Sequence, residues 1–519
     1  MLLDFSLKDV FADFGQENTN EDSHIDQAVQ AFFQDDKIDF GPICEEFSQD
    51  IAGGDRHPWS DLDLWREVLT ISLLALMRDE LQVCREACVR RVRNLLRDPL
   101  WEEMQLASAL ATLSCHFLDI PHSQIHPYQL AGGAAPVEWG EHWSWAAVPH
   151  AHLHAELGLL WALLAQDTDD REVLLAADRL ARWQLNTLDG SYLPFVGFFV
   201  REEDADLSRL LVQNYLLFHA VALLTEKSEL EYIADRQLEH LWRLKTHDSL
   251  KSCTAYDLVV AAWLEECRQR TFEPKPIVLD AVIYDRDMAV VGCRTPKQSV
   301  VCTLAGGGSG MGAYHAGDLQ VVSFGPQRLP LGDCLSFGIE GLDSLLQLEV
   351  GENNFTLAGR THMAAVSSQQ KTRALFRHGQ HSGVWMDVKH QWKEDALNIE
   401  ASFLSVEELE NLAFAFFVKA PRCQIGEALH VRPLSLDRYQ GQIQPVSFIE
   451  RERNLIIAAH QQHGEMQIIP LAGNESFWGA DFLVAYILDS NHTTYQWTMN
   501  LSRSSNSCLF PPQTDGEIH

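Results

Sequence analysis

The chain is short of positive charge. Among its 519 residues, 40 are Lys or Arg and 73 are Asp or Glu, which gives a formal net charge of -33. A field of that sign repels the phosphates of nucleic acid and of anionic membranes. The composition therefore argues against a nucleic-acid partner, and any basic cleft would have to be a local feature.

The first residues do not have the pattern expected of a secretory leader, and long apolar runs are few. The first residues, Met1 to Asp9, contain an early acid and no basic region followed by an apolar run. No apolar stretch approaches the ~20 residues needed to cross a bilayer. Eleven cysteines, an odd number, are scattered along the chain, and the closest pair, Cys84 and Cys88, stands at helical spacing. We expect a cytoplasmic protein with no membrane span, whose cysteines are mostly buried thiols.

Hydrophobic periodicity divides the chain into a helical part and a strand part. Apolar residues recur at helical spacing in eight successive segments, which indicates helical hairpins stacked side by side. After Glu273-Pro274-Lys275-Pro276 the pattern alternates with period two in more than ten segments, which predicts layered antiparallel sheets. The expected domains are an acidic N-terminal segment at 1–57, a helical domain at 58–272, a β-sandwich at 277–508 and a tail at 509–519.

A glycine-rich stretch, Gly306 to Asp318, is the most informative local motif. Its small residues let the backbone turn sharply and approach a ligand, and the phenol of Tyr314, the imidazole of His315 and a carboxylate project from it. Asp333 and His362 follow on later strands. Two imidazoles and a carboxylate suffice for zinc, so we expect His315, Asp333 and His362 to be candidates for a divalent metal, zinc or calcium. Solvated loop residues are the alternative.

The helical half offers candidates for binding a sugar. Residues 120–149 form a long connection that contains Trp139, Trp143 and Trp145. Aromatic faces suit sugar rings, but tryptophans that only fill the gaps between helical hairpins are equally common. After Pro149, at the start of an apolar helix, His150 and His154 are four apart and would share a face, which suits a metal pair; polar residues that only cap the helix are the alternative.

Two tyrosines of the helical half are candidates for proton transfer. A phenol becomes a usable proton carrier only where positive or donor groups favour its phenolate. Tyr215 lies on an otherwise apolar helix, so a core tyrosine is the alternative. Spacing alone singles out neither Tyr215 nor Tyr192, which lies in the turn Asp189-Gly190-Ser191-Tyr192.

Helical hairpins followed by a large sandwich with a Gly-rich His motif resemble the heparinase II/III-like polysaccharide lyases, over roughly residues 60–505. The stretch from Gly312 to Asp318 is similar to that family's His-x-His-Ala-Asp turn, with the first His replaced and Gly317 inserted. The stretch from Ala151 to Glu156 is similar to its Asn-His-x-x-Ala segment, with Ala151 in place of the Asn. The resemblance implies an α+β multidomain fold, in which an incomplete (α/α) toroid packs on an antiparallel β-sandwich and an acidic polysaccharide or oligosaccharide lies between them.

The resemblance further implies β-elimination at a uronic acid. His152 would neutralise the substrate carboxylate, assisted by His154 or Arg360, so that the proton at C5 becomes acidic. Tyr215 would act as base and acid, helped by Tyr314 or His315.

Two other functions fit the same sequence. The altered signature positions leave open a non-catalytic member of the fold that binds glycan or protein through the same cleft. A toroidal glycoside hydrolase would need two facing carboxylates, for which Glu141, Glu156 and Asp189 are the candidates.

Overall fold

A computed structural model describes most of the chain. The described residues are 23–49, 58–97, 101–102, 104–123, 125–135, 151–196, 207–245, 254–267, 271–304, 310–329, 335–339, 346–365, 381–404, 412–426, 429–435, 438–461, 464–472, 479–488 and 493–503.

All α-helices of the described residues precede all of the strands. They are α1 (His24–Phe33), α2 (Gly41–Ser48), α3 (Pro58–Met77), α4 (Leu81–Leu96), α5 (Gln105–Phe117), α6 (Ala151–Thr168), α7 (Arg171–Gln184), α8 (Leu207–Thr225), α9 (Ser228–Lys245) and α10 (Ala255–Cys267). Two of these helices begin next to a residue whose side chain caps the helix N-terminus. Ser23 accepts a hydrogen bond from the backbone N–H of Asp26, and Asp170 accepts from those of Glu172 and Val173.

Five helices contact one another in a closed cycle, α3 to α5, α5 to α6, α6 to α8, α8 to α10 and α10 back to α3. Helices α5 and α8 are buried almost all round, which is what their apolar composition requires. Helices α4 and α7 alternate buried and exposed residues, and they pack with α9 against members of the cycle. By length and composition alone α8 could cross a membrane; nearly all its side chains are buried among the helices.

The strands form two large antiparallel sheets. They are β1 (Val282–Asp285), β2 (Val290–Arg294), β3 (Ser299–Thr303), β4 (Gly312–Ala316), β5 (Leu319–Arg328), β6 (Leu335–Ile339), β7 (Gln347–Val350), β8 (Phe355–Ala365), β9 (His381–Lys393), β10 (Ala396–Phe403), β11 (Leu412–Lys419), β12 (Cys423–Ile425), β13 (Leu429–Val431), β14 (Tyr439–Gln442), β15 (Val446–Glu450), β16 (Arg453–Ala459), β17 (Glu465–Pro470), β18 (Phe482–Ile487) and β19 (Thr494–Arg503).

The sheet that contacts the helices is called the inner sheet, with the order β1-β2-β3-β4-β5-β11-β18-β17-β14. The outer sheet has the order β13-β12-β15-β16-β19-β10-β9-β8-β6, and β7 pairs with β8. The helices followed by two antiparallel sheets confirm the expected α+β class.

The middle of the inner sheet, from β2 to β18 in the order above, is buried on both faces. On β11, Phe414 and Phe416 belong to the core between the two sheets, where Phe414 stacks on Trp497 at 4.0 Å between ring centroids. Ala413 and Ala415 belong to a second core, shared with Trp183 and other residues of the helical part. Alternation along a strand sends successive side chains to opposite faces. One strand therefore supplies small residues to the helix boundary and large ones to the sandwich.

Candidate active site between the helices and the inner sheet

The segment that follows α7 lies against the inner sheet. This docking turn, residues 185–196, begins with the 3-10 turn Leu185–Thr187 and closes on itself, because Asp189 N–H donates to the Leu193 carbonyl at 2.8 Å. Arg294 of β2 binds its backbone by donating to the carbonyls of Leu185 and, at 2.7 Å, Leu188. Burial lowers the pKa of Arg294 to about 10, against the opposing charge of Asp189, so the guanidinium stays protonated at neutral pH.

Asp189 is a buried carboxylate whose oxygens are fully used. Its Oδ1 accepts from the N–H and the hydroxyl of Ser191, both at 2.7 Å, and from Leu193 N–H at 2.9 Å. Its Oδ2 lies 3.0 Å from Nδ1 of His315. Burial raises the pKa of Asp189, but the hydrogen bonds from His315, Ser191 and Leu193 outweigh it and hold the pKa below its usual value. Asp189 is therefore ionised at neutral pH.

His315 stands on β4 and turns its ring toward the helical part. It is 2% exposed, and its ring centroid lies 4.7 Å from that of Phe195 in the docking turn. Because the Asp189 carboxylate can only accept, we assign the ring proton to Nδ1. In the neutral imidazole Nε2 then carries a lone pair, and Nε2 has no hydrogen-bond partner among the described residues. The geometry is that of an imidazole base held in one tautomer by a carboxylate.

His154 is also buried, but both of its nitrogens are engaged. Nδ1 lies 2.9 Å from Oε1 of Gln184, and Nε2 accepts from Ala135 N–H at 3.3 Å. The Trp183 ring lies 4.6 Å away. Burial lowers the pKa of His154 to about 4, so it is neutral and supplies no positive charge.

A chain of side-chain amides continues from His154 through the helical part. Gln184 donates to Oδ1 of Asn214 at 2.8 Å, and Asn214 donates to Gln237 at 3.3 Å. Gln237 in turn donates to the carbonyl of Tyr192 in the docking turn at 2.8 Å. These amides tie α7, α8 and α9 to the segment that carries Asp189.

Tyr314 faces the opposite side of β4 from His315. Its ring belongs to the core between the sheets, 6.1 Å from the Trp392 ring, and its hydroxyl donates to Oε1 of Gln298. Burial raises the pKa of Tyr314 well above its usual value. Tyr314 and His315 are neighbours within β4, so their side chains project to opposite faces of the strand. The chain reverses after them, at Gly317 (φ +70°).

The two tyrosines of the helical part are packed. Tyr215 is 6% exposed and stacks on His219 at 5.3 Å, and His219 lies 2.9 Å from a Glu231 carboxylate oxygen. Tyr192 donates its hydroxyl to the carbonyl of Ile277, and burial, followed by its neighbour Tyr232, raises its pKa.

The remaining candidates lie elsewhere or outside the described residues. Arg360 is on the outer sheet, where it forms a two-pronged pair with Asp387 at 2.7 and 2.9 Å. The backbone of His362 belongs to the same strand, whereas His315 is on the inner sheet. The backbone of His152 lies in the first turn of α6, and its side chain is outside the described set. Also outside it are Trp139, Trp143, Trp145, Glu141, His150 and Asp333.

The expected metal site and the pair of carboxylates that a hydrolase needs can both be checked on the described residues. Within that part of the chain no group of three His, Cys, Asp or Glu side chains could hold a metal ion. Of the hydrolase carboxylates, Glu156 is bound by Arg66 at 2.8 and 2.6 Å, and Asp189 is committed to His315.

Sequence reasoning did not connect Asp189 with His315, nor did it include Gln184 or Arg294. The Asp189-Gly190 dipeptide does predict a turn at this point of the chain. Its partner, however, is 126 residues later, and nothing in local spacing pairs the two.

No family model matches the chain, and no curated protein matches it. Among solved structures, the chain is similar to a point mutant of the chondroitin AC lyase of Streptomyces coelicolor A3. That match has 11% identity and a TM-score of 0.43, and it covers 93% of this chain and 74% of the lyase. The same lyase in complex with chondroitin sulphate matches at 12% identity and TM-score 0.43, covering 85% and 67%. A Paenibacillus xanthan lyase matches at 8% identity and TM-score 0.44, covering 94% and 58%. At such scores the likeness by itself assigns neither activity nor substrate.

Proposed function

We propose that the protein cleaves a uronic-acid-containing polysaccharide by β-elimination, at the boundary between the helical part and the inner sheet. One observation carries the proposal: the 3.0 Å contact between Asp189 and Nδ1 of His315, which leaves Nε2 buried and without a described partner. A neutral imidazole in this state is ready to accept a proton, and the ionised Asp189 stabilises the imidazolium that forms.

In the proposed reaction, Nε2 of His315 takes the proton from C5 of the uronic acid. The electron pair forms the C4–C5 double bond, and the glycosidic oxygen at C4 leaves with a proton from an acid. A donor must neutralise the C6 carboxylate so that the C5 proton becomes acidic. We give that role to His152, in the first turn of α6, and the acid role to Tyr215.

We give no role here to His154, whose Nδ1 is engaged with Gln184, or to Arg360, which is paired with Asp387 on the outer sheet. A metal set of His315, Asp333 and His362 remains a prediction. Nε2 of His315 would suit a metal, since ligating histidines commonly donate their other N–H to a carboxylate. Within the described part of the chain no group of three such side chains could hold a metal ion, and the proposed reaction is written for this chain's own side chains.

A second candidate, a non-catalytic glycan-binding protein of the same fold, is favoured by one observation. Each described phenol considered for catalysis is packed away: Tyr192 on a carbonyl, Tyr215 against His219, and Tyr314 in the sandwich core. None of them forms a hydrogen bond with His315 in the described structure, so the acid partner of the base is not in place.

The test is incubation of the protein with a panel of uronic-acid polysaccharides, following the ultraviolet absorbance of the unsaturated product. We expect a signal from the unmodified protein and a loss of about 100-fold or more in His315→Gln and in Asp189→Asn. The matched control is His116→Gln, which removes another His–carboxylate pair, that with Asp167.

Circular dichroism and thermal unfolding show whether each variant is folded. Equal losses in folded His116→Gln and His315→Gln would refute the role of His315. If the protein binds a polysaccharide and gives no ultraviolet signal, the result would support a glycan-binding protein and contradict the lyase. New reducing ends without the signal would indicate hydrolysis instead.

A further inference from the structure

Three side chains of the inner sheet that contact the docking turn form a single row. Arg294 of β2 is the register partner of Ser299 of β3, and Ser299 is the register partner of His315 of β4. Residues directly opposite each other in antiparallel strands lie on the same face, with Cβ atoms about 4.5–5.5 Å apart. The row therefore presents a cation, a hydroxyl and an imidazole, in that order, to the docking turn.

Arg294 binds the beginning of the docking turn. Its Nε donates to the Leu188 carbonyl at 2.7 Å, and its Nη2 donates to the Leu185 carbonyl. The third nitrogen, Nη1, donates to the carbonyl of Asp280, before β1, at 2.8 Å. A guanidinium offers its donors in a rigid planar fork, so these contacts fix both the place and the orientation of the turn.

Ser299 binds the turn next to Asp189. Its hydroxyl accepts a hydrogen bond from the N–H of Gly190 at 3.0 Å. A Cβ on Gly190 would lie 3.3 Å from the carbonyl oxygen of Thr295, so the backbone passes close to the hairpin between β2 and β3. The neighbouring N–H groups are hydrogen-bonded within the turn itself, namely those of Asp189, Ser191, Tyr192 and Leu193. The Gly190 N–H instead ties the turn to the sheet.

We propose that Arg294 and Ser299 are positioning residues, which hold the docking turn where Oδ2 of Asp189 meets Nδ1 of His315. Their effect on cleavage rests on the proposed function, because it is transmitted through the Asp189–His315 contact. Each nitrogen of Arg294 already donates to a carbonyl of this chain, so we assign it no contact with the substrate. A shift of about 1 Å in a catalytic group can lower a rate by about 100-fold.

Hydrogen–deuterium exchange of the folded, full-length protein measures this hold without any substrate. In peptides that span 186–194, Ser299→Ala should speed exchange by about 10-fold, because the Gly190 N–H loses its acceptor. Arg294→Met should speed it further. Ser299→Ala removes one hydroxyl only, so this arm does not depend on tolerance of a lost guanidinium.

Arg91→Met is the matched control for the loss of a buried arginine. Arg91 has the same exposed fraction as Arg294, 7%, and it also donates to a backbone carbonyl, that of Glu46 at 3.2 Å. Exchange over 186–194 should be unchanged in this variant.

Cleavage kinetics test the consequence for the reaction. We expect kcat to fall by about 100-fold in Arg294→Met and by about 10-fold in Ser299→Ala, with KM changed by less than about 2-fold. Arg294→Lys keeps a cation that can donate to a carbonyl, and it should recover part of kcat. In Arg294→Met/Asp189→Asn, kcat should be no lower than in Asp189→Asn, because Arg294 acts through Asp189.

The two measurements separate this inference from the proposed function. Faster exchange in both variants, with no unsaturated product from the unmodified protein, would support the hold on Asp189 and refute the lyase. Unchanged exchange in Ser299→Ala and Arg294→Met would overturn the inference, whether or not the protein cleaves a polysaccharide. A full further loss of kcat when Arg294→Met is added to Asp189→Asn would also overturn it, as would an unchanged kcat in variants whose exchange is faster.

Discussion

Trp183 donates its indole N–H to Oδ2 of Asp285 at 2.6 Å, which joins the last turn of α7 to the end of β1. Oδ1 of the same carboxylate accepts from Met288 N–H at 3.0 Å. A Cβ on Gly132 would lie 2.4 Å from Oδ2, so the loop before α6 also closes over this pair. Burial raises the pKa of Asp285, and the two donors work against that effect. The contact binds the helical part to the inner sheet beside the docking turn.

Trp183→Phe should lower the free energy of unfolding by about 1–3 kcal/mol, because a buried carboxylate oxygen loses its donor while ring packing is largely kept. Urea denaturation measures the change. Trp242→Phe, on the exposed side of α9, is the control and should stay within about 0.5 kcal/mol. Equal effects of the two substitutions would contradict a specific role for the Asp285 contact.

Tyr314→Phe separates the two faces of β4. The variant loses the hydrogen bond to Gln298 and should be destabilised by about 1–3 kcal/mol, since a buried amide oxygen is left unpaired. Any polysaccharide-cleaving activity should be unchanged, in contrast to His315→Gln. Thermal unfolding and product absorbance on the same samples test both statements. A large loss of activity in folded Tyr314→Phe would show that the phenol reaches the site.

Arg66→Met should destabilise the helical part by about 3–5 kcal/mol. The guanidinium forms a buried two-pronged pair with Glu156, at 2.8 and 2.6 Å, and its loss leaves an uncompensated buried charge. The double variant Arg66→Met/Glu156→Gln removes both charges and should recover a large part of that loss. A double-mutant cycle in denaturant gives the coupling, and simple additivity of the two substitutions would contradict the buried-pair interpretation.

The raised pKa of Glu67 should make the free energy of unfolding depend on pH. Burial, together with the charges of Glu46, Asp63 and Asp26, raises its pKa to about 7 against the favourable effect of Arg91. The folded chain therefore holds this proton more tightly than the unfolded chain. Stability should fall as pH rises from about 4.5 to about 7, and the penalty should be complete above that range.

Glu67→Gln removes the penalty. It should match the unmodified protein near pH 4.5 and exceed it at pH 8, by up to about 3 kcal/mol. Melting curves at the two pH values provide the measurement. Glu86→Gln, an exposed position on α4, controls for a general effect of lost negative charge. An advantage of Glu67→Gln that is the same at both pH values would exclude titration of Glu67 as the cause.

Local periodicity was enough for most of the strands and for the helices. The alternation over Ala396 to Phe403 coincides with β10, because that strand buries one face and exposes the other to water. The glycine-rich sequence predicts a turn at Gly312–Ala316, but this stretch is the strand β4. Its small residues give no β signal, and they are required by packing, since a Cβ on Gly312 would lie 2.4 Å from the Phe324 ring. Expectations about the domain boundaries, the localisation and the metal stay predictions.

The sequence by itself determined the order of helices before strands and the layered sheets, and it marked His315 as a candidate, because these follow from short-range period and residue chemistry. Only the tertiary structure decided which side chain His315 contacts. The order of the inner sheet places β4 between β3 and β5, with one face on the helices. That placement turns His315 to Asp189 and sends Tyr314 into the sandwich core. A contact over 126 residues depends on how whole sheets and helices pack, and local spacing carries no record of it.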